Sequence, residues 1–188
     1  MSKKWNYQSL KMKANHKWTA RPGCQIFVAD KGAVRMDVPQ GWVMKIDEIS
    51  VKFYDGEPPD DDIRLEVSFM RLPPADWSNF PLADALRDVA ETDARPCEVS
   101  GEITTVKRPD VRLVWLESNF IDPVENRPAR SRIMLAMGNN IQSTVTMDYW
   151  IEDADRAVAA WNNVVHSLRL GIYIADPTTG AAADPQLN

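Results

Sequence analysis

The side chains in this sequence that could do chemistry are few, and most are badly spaced for it. His16 and His166 are the only two histidines. On a helix, the i−4 and i−3 neighbours of His166 are Asn162 and Asn163, which supply neither a nucleophile nor a charged orienting group. No Cys or His lies at ligand spacing from either histidine, which argues against zinc. A ring near a helix C-terminus is favoured electrostatically, so His166 reads as structural. Cys24 and Cys97 stand in no metal-like or redox-like spacing and read as reduced, buried, small apolar residues. Ser100-Gly101 lacks the glycine that precedes a nucleophile elbow, and a strand rather than a helix follows it. The eight glycines form no phosphate-cradling loop. The acidic run Asp55, Glu57, Asp60, Asp61, Asp62 invites a calcium reading, with Glu66 eleven residues after Asp55. Its sixth position is Asp60 rather than the glycine such a loop needs, and Pro58-Pro59 stiffens it. A solvated hairpin tip is the better reading. Paired carboxylates for glycoside chemistry stay open, because their separation is a property of three dimensions. No catalytic residue, metal or cofactor is expected.

What remains is charge. Residues 1–22 carry Lys3, Lys4, Lys11, Lys13, Lys17 and Arg21 and no acid; with a formal net charge of −5 for the whole chain, the rest holds −11. Among these lysines sit Trp5, Tyr7, Leu10, Met12 and Trp18. The candidate partner-binding residues are therefore Trp5, Tyr7, Lys11, Lys13, Lys17 and Trp18. Such a set can stack bases and neutralise phosphates, lie on a membrane surface, or meet another protein's acidic face. The plainer reading is an arm that lays its aromatics on the chain's own acidic body. The negative total argues against nucleic acid. The N-terminus lacks the apolar run of a secretory signal, and no window approaches a membrane span. The expectation is a cytoplasmic protein with an unidentified protein partner.

A chain of 188 residues, 44% hydrophobic and 26% charged, is an ordinary globular protein. At this size it buries about 70% of its unfolded surface. It divides into a basic aromatic arm (1–22), a single α+β domain (23–170) and a C-terminal tail (171–188). The tail's Asp-Pro-Thr-Thr-Gly-Ala-Ala-Ala composition predicts flexibility. Val111–Ile121 is apolar on both alternating sets, as a central strand covered on both sides must be. Arg130–Met137 is a weaker copy, and Gly138-Asn139-Asn140 is a tight turn. Ile141–Trp150 then alternates as a half-solvated antiparallel strand. Earlier strands read over 24–30, 33–38, 49–54, 63–72 and 97–106. One helix reads from about Phe80 to Thr92, capped by Ser78 or Asn79. A second runs from about Ala154 to Leu168, with Ala157, Trp161, Val164 and Val165 on its apolar side. Hairpin-linked strands with helices at two places predict a central antiparallel sheet flanked by helices on both faces.

Two short motifs carry a family resemblance. Arg35-Met36-Asp37-Val38 runs straight into Pro39-Gln40-Gly41-Trp42, a strand followed by Pro-x-x-Trp. After a meander of strands, the last helix ends in Val164-Val165-His166-Ser167-Leu168. This resembles the superfamily that includes PsbP, the extrinsic subunit of the oxygen-evolving photosystem, and the Ran-binding import factor Mog. The resemblance covers about residues 24–170. It implies an α/β/α sandwich that acts by docking on a partner rather than by catalysis, and no partner-contacting residue of either protein maps onto this chain. The other reading is a small-molecule binder or hydrolase-like enzyme with a cleft between sheet and helix.

Overall fold

The computed structural model describes residues 6–182, so Trp5 lies outside the described residues. Its strands are β1 (Cys24–Ala29), β2 (Val34–Pro39), β3 (Val43–Ile46), β4 (Val51–Tyr54), β5 (Ile63–Arg71), β6 (Glu98–Lys107), β7 (Arg112–Ile121), β8 (Pro128–Gly138), β9 (Ile141–Trp150), β10 (Arg169–Leu170), β11 (Ile174–Asp176) and β12 (Ala181–Ala182). Its helices are α1 (Leu82–Glu91) and α2 (Ala154–Ser167). Seven strands form one sheet in the order β3-β4-β5-β9-β8-β7-β6, and every neighbouring pair is antiparallel. A second sheet, β1-β2-β10, packs with α2.

Alternation sorts the side chains. On one face, here the near face, Leu65, Val67, Leu113, Met134, Ala136, Val145 and Met147 join a core with Met36 and Val38 of β2 and with Trp161 and Val164 of α2. On the other, Val114, Leu116, Leu135 and Met137 pack with Leu82 and Leu86 of α1. The double-sided apolarity of β7 thus has its reason, but β7 lies next to the β6 edge, and β9 holds the centre. The near face is shared by α2 and the small sheet, while the residues packed around α1 come from the β6–β8 part of the large sheet.

Local chemistry corrects several boundaries. No side chain caps α1, so neither Ser78 nor Asn79 does; the Pro81 carbonyl accepts from the amides of Asp84 and Ala85. In the β8–β9 turn only Asn139 (φ 46°) and Asn140 (φ 59°) are left-handed. Gly138 is needed for a different reason, since a Cβ there would stand 2.5 Å from the Asp110 carbonyl oxygen. The two resemblance motifs meet. Ser167 Oγ accepts from the Asp37 amide at 2.8 Å, and Arg35 donates to the Ser167 carbonyl at 3.1 Å while pairing with Asp37 at 2.7 Å.

The ends of the described chain hold one another. Lys13 pairs with Asp176 at 2.9 Å, the Lys13 and Lys17 amides donate to Thr178 and Thr179 carbonyls, and Trp18 Nε1 donates to the Pro177 carbonyl at 2.7 Å. Gly180 lies against the Trp18 ring so closely that a Cβ would meet it at 2.8 Å. Composition alone cannot register such a clasp, because none of its contacts is local in sequence.

Candidate functional site

The candidate arm residues separate on folding. Lys13, Lys17 and Trp18 are drawn onto the tail, and Trp18 also lies 5.9 Å from the Arg35 guanidinium. Tyr7 and Lys11 stay exposed, with Tyr7 beside Met44, Lys45 and Ile46 of the β3 edge. The acidic loop is tied to α2, since Arg156 pairs with Asp55 at 2.7 Å and with Asp62 at 3.1 Å. Asp55 also accepts the Asp62 and Ile63 amides. Among the described residues, no group of three or more His, Cys, Asp and Glu is placed to hold a metal. His166 is exposed, its Nδ1 2.6 Å from the Asn162 carbonyl oxygen.

The sheet's uncovered corner arises from how α2 is held. Arg156 fixes its N-terminal turn to the β4–β5 loop, while Arg108 donates to the carbonyls of Val165, His166 and Leu168 at its other end. Helix α2 covers Trp115, its Trp161 ring meeting it edge-on at 5.7 Å. Beyond Trp115 the same near-face positions of β7 and β8 run Glu117, Asn119, Ile121 and Arg132, Arg130, Pro128. Ile121 is 50% exposed, Val124 in the following loop 86%, and Ile151 at the β9–α2 junction 40%.

The loop that carries Val124 is firmly built. Asp122 Oδ1 accepts the amides of Val124 and Glu125, and the Asp122 amide donates to the Arg127 carbonyl. Arg127 pairs with Glu152 and stacks on Trp150 at 4.4 Å. The apolar tip is therefore presented by a pre-organised turn.

Behind it lies a buried charge cluster. Arg132 donates to Glu117 Oε2 at 2.6 Å, and Tyr149 donates to the same oxygen at 2.7 Å. Arg130 reaches Glu117 Oε1 at 3.5 Å and donates to Asn119 at 3.2 Å. The Arg132 guanidinium sits 5.0 Å from the Trp115 ring and 5.8 Å from each of Tyr149 and Trp161. Burial pushes the Tyr149 hydroxyl up, to about 12, and its hydrogen bond to Glu117 adds to this. Burial works the other way on Glu117, but the hydrogen bonds from Tyr149 and Arg132 and the charges of Arg132 and Arg130 outweigh it, so its carboxyl is held below the usual range. Tyr149 stays a donor and Glu117 an anion at neutral pH.

Sequence reasoning missed this cluster, although a signal was there. Glu117 interrupts an apolar strand at an inward position, and Arg130 and Arg132 are in phase with Met134 and Ala136. Charges on the buried parity of a strand need partners, and these three partner one another.

This sheet order, with a small hairpin sheet and a C-terminal helix on one face, defines the class: the chain has a PsbP/Mog-like fold. Cyanobacterial PsbP (CyanoP) from Synechocystis sp. superposes with a TM-score of 0.57 at 16% identity, over 80% of this chain and 94% of that one. The Ran-binding protein Mog1p of Saccharomyces cerevisiae gives 0.52 at 9% identity, over 78% and 95%. LpqN of Mycobacterium tuberculosis, involved in cell envelope biogenesis, gives 0.53 at 10%, over 78% and 90%. Identities this low show the fold alone. Sequence goes further: the chain belongs to the Alr1449 family, whose model matches residues 25–174. The alr1449 protein of Nostoc sp. is 46% identical over 179 residues, 95% of this chain and 93% of that protein.

Proposed function

We propose that this protein is a non-enzymatic binding or assembly module that docks a protein partner on the uncovered corner formed by Ile121, Val124 and Ile151. The observation that carries the reading is the firmly held turn that exposes Val124. A buried valine would gain about 1.5–3 kcal/mol from leaving water, and here a rigid loop keeps it in water. Clustered apolar side chains on a fixed support are what an interface offers.

The space where an enzymatic cleft would lie supports the same reading. Trp161 and Val164 of α2 and Met147 and Met134 of the sheet are each fully buried in one core. A surface depression of ≈ 410 Å³ lies at the other end of β7, lined by residues that include Pro109, Gly138 and Asn139. Mog1p, described as Ran-binding, uses the same fold to bind a protein. Among the described residues no helix is long and apolar enough to cross a membrane. We take the partner to be cytoplasmic, and Tyr7 and Lys11 to be free to assist it from the arm.

The test is capture from native lysate with the full chain and with Val124→Glu. The substitution is on an exposed tip, so the variant keeps its unfolding midpoint. A specific protein retained by the parent and lost by the variant is the expected result; identical retained sets from both would remove the corner as the docking surface.

A further inference from the structure

Arg132 has donors that the chain does not use. It is 8% exposed, yet the one hydrogen bond its guanidinium makes among the described residues is from Nε to Glu117. The two terminal nitrogens of Arg132 are not fully buried, so they are open to an acceptor from outside the chain. Three aromatic rings lie within 5.8 Å of the Arg132 guanidinium. They attract the cation without replacing an oxygen acceptor for its remaining N–H groups. Beside it Arg130, with its side chain 34% exposed, opens the cluster to the corner.

The charge count selects the ligand. Two guanidinium groups share the single carboxylate of Glu117, and Tyr149 stays neutral, so the cluster carries one net positive charge. One monoanion balances it. A phosphate dianion would leave an excess negative charge facing Glu117. An arginine fork matches the two oxygens of a carboxylate. Ile121 and Pro128 lie two residues further along their strands, about 7 Å away, on the same face.

We propose that Arg130 and Arg132 form a carboxylate subsite, which takes an Asp or Glu side chain of the docking partner while a neighbouring apolar residue of that partner meets Ile121 and Val124. This rests on the docking reading above and assigns the chemistry of what docks.

The probe is the acidic peptide Ac-Ala-Glu-Leu-NH2, titrated into the full chain while the indole N–H signals of Trp115 and Trp161 are followed by NMR. Both signals are expected to move saturably. The effect should weaken about tenfold with Ac-Ala-Gln-Leu-NH2 and in Arg130→Gln, as loss of one charge-assisted hydrogen bond requires, with Arg130→Lys in between. Absence of any shift, equal shifts with the Gln peptide, or an unaffected Arg130→Gln variant overturns the subsite. Tighter binding of phenyl phosphate than of the Glu peptide overturns the assignment to a carboxylate. The two readings fail separately. If Val124→Glu abolishes capture while the peptide does not bind, docking stands and the subsite falls. If the peptide binds and Val124→Glu changes nothing, the subsite stands and the docking surface falls.

Discussion

At the scale of single residues, the informative feature is a carboxylate where the strand pattern asks for an apolar side chain. Glu117 neutralises an arginine that the fold has already taken out of water, with their side chains 14% and 10% exposed. Glu117→Gln leaves Arg132 buried without its counter-charge. We expect a loss of about 3 kcal/mol at neutral pH, read by urea denaturation. The pH dependence has a defined sign. The Glu117 carboxyl titrates below its ordinary range in the folded protein. Its contribution is therefore complete above the unfolded value of about 4.3 and is lost as pH falls through the folded value. The gap between parent and variant should narrow below about pH 4; a constant gap down to pH 3 would show that Glu117 acts through packing rather than charge.

At the scale of elements, periodicity made much of the fold legible. The alternation in Ile141–Trp150 returns as alternating buried and half-buried positions along β9, and the apolar stripe of Ala154–Leu168 returns as the buried face of α2. Elements too short to show a period were not legible: β3 has four residues, and β10 and β12 have two each. The same holds for the candidate site. Glu117, Arg130 and Arg132 were present in sequence as out-of-pattern charges, but their meeting depends on the β7–β8 register, and their exposure depends on where α2 begins. Gly138 shows a related limit, because its neighbour Asp110 belongs to another turn. Gly138→Ala forces the Asp110 carbonyl to move and should cost about 1–3 kcal/mol in thermal or chemical unfolding. An unchanged midpoint would mean the two turns yield more freely than this contact implies.

At the scale of the whole molecule, part of the basic arm is engaged by the tail. Lys13, Lys17 and Trp18 lie on it, and the hydrogen bonds from Thr178 and Lys13 hold the Asp176 carboxyl well below the usual carboxylate range. The ion pair therefore contributes above the unfolded carboxyl value near 3.9 and is lost only as pH falls well beneath it. At neutral pH, Asp176→Asn should let trypsin cut after Lys13 and Lys17 faster than in the parent; unchanged cleavage would show that backbone bonds and the Trp18 contact suffice.

The clasp also decides how the molecule answers to force. Tension applied between residues near the two ends enters through Lys13–Trp18 and Asp176–Gly180, so these few contacts take the load before any strand of the large sheet does. A pull from the ends should first lengthen the chain by a short, low-force step. Only then does it reach β1 and β10, which flank β2, and further extension means tearing antiparallel pairs apart.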